Sequence, residues 1–246
     1  MTGTFSRAVC ALALCMIVAL PASAEPGKYL GPWDLVASKD GASLFVLNRD
    51  AAQIAVVDIA AGKVARTIAL PPGPTGLALS PDGATLYVTC ADPMGAVNVI
   101  EASSGKVKHT IPVKQHGSTG PTVSPDGKRL YVCNRFANNV ALIDLEAKKV
   151  TVVPAVREPI RSAVTPDGAL LLVTNHLPLD PSDGYDVACY VTAINTADNS
   201  ASNIRLPNGS SSVRGVCVSP DGKYAYAVHI LARYQMPTTQ LERGWM

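Results

Sequence analysis

The sequence predicts an all-β protein, a β-propeller of four-stranded antiparallel blades, with about four and a half blades present. Three observations predict it. A Ser/Thr-x-Asp-Gly turn recurs five times at blade-length spacing. Each copy sits between two short runs of strand-forming residues, and a second hairpin pattern falls between successive copies. A repeat of about forty residues with four short strands is the size of one propeller blade.

The chain opens with a targeting segment. Arg7 supplies a short positive region, and Ala8 to Leu20 is an apolar run of thirteen residues. That is shorter than the roughly 20 residues a spanning helix needs. Pro21 breaks the run, and Ala22-Ser23-Ala24 forms a small-residue cleavage pattern. The expected domain plan is a signal peptide over residues 1–24 and a partial propeller over 25–246. Within the latter, 230–246 forms a non-blade excursion. No later stretch is apolar and long enough to cross a bilayer, so an exported, periplasmic or extracellular location is expected.

The five turn copies start at Ser38, Ser80, Ser124, Thr165 and Ser219, spaced 42, 44, 41 and 54 residues apart. In Ser80-Pro81-Asp82-Gly83, proline presets φ, aspartate bonds nearby backbone N–H groups, and glycine takes the positive φ that ends such a turn. The apolar run before it and Leu86-Tyr87-Val88 after it make one hairpin. The second hairpin of each unit is carried by Ile54–Val64, Val97–Val107, Val140–Val150 and Tyr190–Ser200. A lone sheet cannot cover both of its faces, so blades stack about an axis and bury the apolar residues between neighbours. Four units are complete, and the fifth has only its first hairpin. The expectation is a fragment, or a ring closed by other material, because open propellers leave exposed edges.

Composition excludes some functions. The formal net charge is +2, near +1 once Arg7 is removed, and no Lys/Arg block exists to neutralise a phosphate backbone. Cys90, Cys133, Cys189 and Cys217 lie in strand-like runs at spacings that match no zinc pattern. They read as small buried core residues, or as a disulfide between neighbouring strands in an oxidising compartment. No C-x-x-C-H is present, so no haem attaches to this chain. No G-x-S-x-G, H-E-x-x-H or phosphate loop occurs, so no catalytic residue is assigned.

Leu86–Cys90, Leu130–Asn134 and Leu171–Asn175 resemble the Tyr-Val-Thr-Asn strand of the YVTN-family propellers. The preceding Ser-Pro-Asp-Gly and the following Val-x-Val-Ile-Asp belong to the same pattern. The resemblance runs from about Trp33 to His229. It departs at Leu47, Cys90 and Ala227-Val228-His229. The segment from His229 to Met246 resembles a stretch in exported propeller proteins that carry a di-haem cytochrome c peroxidase-like module. That resemblance implies haem c in a domain beyond this chain and a protein partner or fused redox domain, while no cofactor is expected in this chain.

Strand order places the Asp-Gly turns on one side of the disc and the loops after each second strand on the other. Arg49, Arg135, His176 and His229 follow or end second strands, and Arg161 and Arg214 precede the first strands of their blades. Together they form a candidate basic collar for an anionic ligand or an acidic partner surface, set against the plainer reading of solvated surface charges. The long loop from His176 to Asp186 carries Asp180, Asp183 and Asp186, weak candidates for Ca²⁺ whose spacing does not match an EF-hand. His109 reads as an outer-strand residue and His116 as part of a loop on the collar side. The expected function is a non-catalytic exported platform for a protein partner or an attached redox domain. A lactonase-like or quinoprotein-dehydrogenase-like enzyme or subunit is one alternative, and a cell-surface structural protein is another.

Overall fold

The structure, a computed structural model, describes residues 29–91, 93–181 and 184–232. Residues 1–28, which include the expected signal peptide, and 233–246 lie outside that set. Four sheets have four strands each, in chain order. The first holds β1 (Pro32–Ala37), β2 (Ser43–Asn48), β3 (Gln53–Asp58) and β4 (Lys63–Ala69). The second holds β5 (Pro74–Leu79), β6 (Thr85–Cys90), β7 (Ala96–Glu101) and β8 (Val107–Pro112). The third holds β9 (Ser118–Val123), β10 (Arg129–Asn134), β11 (Asn139–Asp144) and β12 (Val150–Pro154). The fourth holds β13 (Pro159–Val164), β14 (Leu170–Asn175), β15 (Tyr190–Asn195) and β16 (Ala201–Arg205). The fifth sheet has two strands, β17 (Ser210–Val218) and β18 (Ala225–Leu231). β18 runs two residues into the segment expected to leave the blade.

The sheets are stacked by their first strands: β1 packs on β5, β5 on β9, β9 on β13 and β13 on β17. This is a propeller-like arrangement about an axis, as the repeat predicts. Among the described residues β1 and β17 make no comparable contact with each other, so the stack stays open.

The five turns fold as the sequence suggests. Ser80 Oγ donates to Asp82 Oδ1 at 2.5 Å, which in turn accepts the Ala84 N–H at 2.9 Å. The Ser80 hydroxyl accepts the Thr85 N–H at 2.9 Å. The same set recurs around Asp40, Asp126, Asp167 and Asp221. These bonds stabilise the ionised carboxylates, and side-chain donation from the Ser or Thr is the main cause that holds all five below the usual carboxylate range.

The core consists of separate layers between neighbouring sheets. Leu86, Val88 and Cys90 of β6 face the first sheet and meet Phe45, Leu47, Ile54 and Ile68. Tyr87, one residue out of phase, faces the third sheet and meets the layer of Leu130, Val132, Ala141 and Ile143. β10 repeats the arrangement, with Tyr131 and Cys133 turned toward Leu171, Val173 and Ile194 of the fourth sheet. Period-two alternation therefore sends successive residues of one strand into different layers. That is why these strands read as almost unbroken apolar runs.

Near the axis the first strands approach closely. A Cβ on Gly120, which has φ +54°, would lie 2.3 Å from the Ile160 carbonyl oxygen of the next first strand. Only glycine combines that backbone region with that proximity. The fifth sheet differs on its outer side. Tyr224, Tyr226, Val228 and Ile230 project from alternate positions and are all exposed. No described element covers them.

Three of the cysteines expected in the core are buried: Cys90, Cys133 and Cys189. Burial pushes the Cys133 thiol up to about 12. Cys217 is exposed, which corrects the core reading for that residue. It pairs in register with Tyr226 on the uncovered face of the fifth sheet, so no neighbour closes over it. No disulfide joins these four residues.

Candidate functional site

Each first strand carries an irregularity near its start. Trp33 is the extra residue between the pairs Pro32–Asn48 and Asp34–Leu47. Thr75 occupies the same place in β5, and Ile160 in β13. In β9 the shift falls at Gly120-Pro121, and in β17 Ser212-Val213-Arg214 lie opposite His229. A bulge leaves its residue out of the ladder and bends the strand, so the side chain is re-aimed. Here Trp33, Thr75, Ile160 and Arg214 line one cavity of about 340 Å³, on the side of the disc away from the Asp-Gly turns.

Hydrogen bonds tie the bulges together. Trp33 Nε1 donates to the Thr75 carbonyl at 3.0 Å, and Thr119 Oγ1 donates to the same oxygen at 2.9 Å. Thr75 Oγ1 donates to the Ser118 carbonyl at 2.6 Å.

Five of the six residues expected in the basic collar line this cavity: Arg49, Arg135, Arg161, His176 and Arg214. Arg49 follows β2, and its guanidinium carbon sits 4.7 Å from the centre of the Trp33 ring. Arg135 opens the short 3-10 turn Arg135–Ala137 after β10. Its Nε and Nη2 both donate to Glu158 Oε2, at 2.8 and 2.7 Å, and its guanidinium lies 5.2 Å from the Phe136 ring centre. Glu158 is held for this contact in a left-handed conformation, φ 50°, by the Asn138 side chain, which accepts its N–H at 2.9 Å.

Arg161 reaches across the axis. Its Nη1 donates to Asp34 Oδ2 on β1 at 2.7 Å, and the same oxygen accepts the Leu77 N–H of β5 at 3.0 Å. One carboxylate thus joins the first, second and fourth sheets. His176 directly follows β14 and is buried, with Nδ1 3.2 Å from the Val213 carbonyl. A carbonyl only accepts, so Nδ1 carries the proton in that bond. The Arg214 side chain is exposed and makes no ion pair or hydrogen bond among the described residues. His229 does not join the others. It lies on β18 opposite the β17 bulge, with its Nδ1 3.2 Å from the Ile230 carbonyl.

The charges around the cavity do not cancel. Four guanidinium groups meet two carboxylates, Glu158 and Asp34, which leaves two positive charges among the described residues. Arg49 and Arg214 carry them. Asp34, Glu158, Trp33 and Phe136 were not assigned to the site from sequence. Asp34 and Glu158 act across large sequence separations, and the cross-axis pair has no periodic signature. The one available signal was an aromatic beside an acid, Trp33-Asp34, at the opening of a first strand.

The acidic loop is organised differently. Asp180 Oδ2 accepts the Ala188 N–H at 3.0 Å and lies 3.7 Å from Arg205 Nη2. Asp186 Oδ1 accepts from Asn208 Nδ2 at 2.8 Å. Asp183 lies outside the described residues. Asp180 and Asp186 pin the loop to the outer strand and to the turn before β17, and no described group of three or more His, Cys, Asp or Glu is placed to hold a metal. His116 is exposed and packs at a tilt against Phe136 with ring centres 5.4 Å apart, while His109 is half-buried on β8. No described helix is long and apolar enough to cross a membrane.

No family model and no curated protein matches the sequence. Among solved structures, the chain is similar to a chain of Kuenenia stuttgartiensis hydrazine synthase, with a TM-score of 0.76 and 26% identity. The likeness covers 89% of this chain and 61% of that one, so this chain spans less than two thirds of its structural neighbour.

Proposed function

We propose that this chain is an exported, non-catalytic β-propeller that serves as a docking platform. Its receiving face is the one that carries the axial cavity, and it takes an acidic surface of a protein partner or of an attached redox domain. The observation that supports this reading is the convergence of Arg49, Arg135, Arg161, His176 and Arg214, drawn from four sheets, on one cavity with two unneutralised charges. Excess positive charge at a concave rim steers and orients an acidic partner. Kinship with YVTN-repeat propellers, export through residues 1–24 and a haem-bearing domain outside this chain are parts of the same proposal.

The test is capture from a periplasmic extract of the source organism. Wild-type chain should retain a partner in a salt-sensitive way, and the variant with Arg135, His176 and Arg214 all changed to Ala should lose it. Equal capture by the triple variant overturns the reading.

The likeness to a hydrazine synthase chain favours a second reading, in which the propeller is a subunit of a redox enzyme. Under that reading the captured partner carries haem, and its absorbance in the Soret region co-elutes with the propeller. A haem-free partner removes it.

A further inference from the structure

We propose that the axial cavity binds a small dianionic oxyanion between Arg49 of the first sheet and Arg214 of the fifth, so that the ligand clamps the two ends of the open stack. The inference rests on the reading that this face receives anions, and it adds what the anion is and what its binding does to the fold.

The charge at the cavity selects the class. Arg135 and Arg161 are already held by Glu158 and Asp34, at 2.7 Å in each case. Arg49 and Arg214 have no carboxylate partner among the described residues, and a dianion matches their two charges. Guanidinium is the side chain suited to planar, two-point recognition of carboxylate or phosphate oxygens. Arg49 is positioned by Trp33, whose ring centre lies 4.7 Å from its guanidinium carbon. Arg135 and Arg161 each keep N–H groups beyond those in their ion pairs, so they add donors to the wall without adding net charge.

The size fits a small molecule. A cavity of about 340 Å³ lies at the low end of small-ligand sites. Its half-exposed Trp33 and exposed Phe136 offer apolar flanks to the carbon skeleton of a short dicarboxylate.

The placement gives the clamp. Arg49 belongs to the sheet at one end of the stack and Arg214 to the sheet at the other. Among the described residues β1 and β17 make no contact comparable to that between neighbouring first strands, so a ligand bound to both arginines links sheets that these strands leave apart. Asp34–Arg161 is a partial precedent within the molecule, since it already ties the first sheet to the fourth across the axis.

The experiment is titration calorimetry on the full chain with succinate, inorganic phosphate and acetate, paired with hydrogen exchange at saturating ligand. The variants are Arg49→Gln, Arg214→Gln and, as a control of equal charge change on the opposite side of the disc, Lys106→Gln. Saturable one-to-one binding of succinate or phosphate is expected, and whichever binds more tightly identifies a carboxylate or a phosphate source. Each arginine variant should lose about tenfold or more in affinity, while the control stays within about twofold. Acetate should bind about tenfold more weakly than succinate, because it meets only one of the two arginines. Ligand should slow exchange in both β1–β2 and β17–β18, and Arg214→Gln should abolish the slowing in β17–β18. The proposal is overturned if neither dianion binds, if both arginine variants bind as wild type, or if protection is confined to one sheet. Loss of partner capture in the triple variant with no oxyanion binding would remove the clamp and leave the platform standing. Oxyanion binding with no partner captured would do the reverse.

Discussion

Replacing Asp34 with Ala should loosen the axis more than any other exchange of a charged side chain in this fold. The carboxylate accepts from Arg161 at 2.7 Å and from the Leu77 N–H at 3.0 Å, and its side chain is only 14% exposed. Hydrogen bonds to a charged group contribute roughly 1.5–3 kcal/mol each. Arg161 keeps 31% of its side chain in water and is partly resolvated when its partner goes, which lowers the sum. The net cost is about 2–3 kcal/mol. For a domain of this size that corresponds to a fall in Tm of roughly 4–12 °C. Urea denaturation of wild type, Asp34→Ala, Arg161→Ala and the double variant gives the full cycle. A coupling of about 1–2 kcal/mol between the two residues is expected. A single-variant cost below about 0.5 kcal/mol, the level of an ordinary surface change, would refute the argument, as would strictly additive effects.

Gly120→Ala should cost about 3 kcal/mol or more, because a Cβ there meets the Ile160 carbonyl in a backbone region closed to alanine; near wild-type stability in the same urea assay would contradict the close approach. Among Cys90, Cys133, Cys189 and Cys217, only Cys217 should react promptly with a maleimide in native protein, and mass mapping of modified Cys133 before unfolding would refute the burial and raised thiol described above. The turn aspartates have folded carboxyls below their usual range, so their contribution is complete above that range and is lost as pH falls through the folded values. Asp82→Asn and Asp167→Asn should therefore weaken the loss of stability on acidification, and an unchanged acid branch in thermal melts would refute that assignment.

The periodic part of this molecule is plain from its sequence, and the parts that depend on proximity are not. The Asp-Gly turns are local, complete within six residues, and each copy specifies its own hairpin. Middle strands such as Leu130–Asn134 announce burial on both sides through their unbroken apolar content. Four of the arginine positions and His176 follow from strand order alone, because a blade places the end of its second strand and the start of its first on the same rim. His229 has the same formal position, yet the three-residue irregularity at Ser212–Arg214 shifts the register opposite it. Trp33, Asp34 and Glu158 show why the remainder was hidden. Their roles depend on a left-handed backbone and on partners as far as 127 residues away, neither of which leaves a mark at the spacing of a repeat. Cys217 read as core for a related reason: alternation shows which residues share a face but not whether anything covers it.

The division of the core into separate layers has a mechanical corollary. Each layer belongs to two adjoining sheets, so the cohesion of the molecule is close to a sum of couplings between nearest neighbours. The second, third and fourth sheets are gripped from both sides, whereas the first and fifth are gripped from one. Melting should then progress inward from the termini of the stack, beginning with the hairpin β17–β18, and the Asp34–Arg161 strut should delay the first sheet relative to the fifth. Such a molecule comes apart as a sequence of peeling steps, so its mid-stack strands remain folded after the outer hairpin has let go.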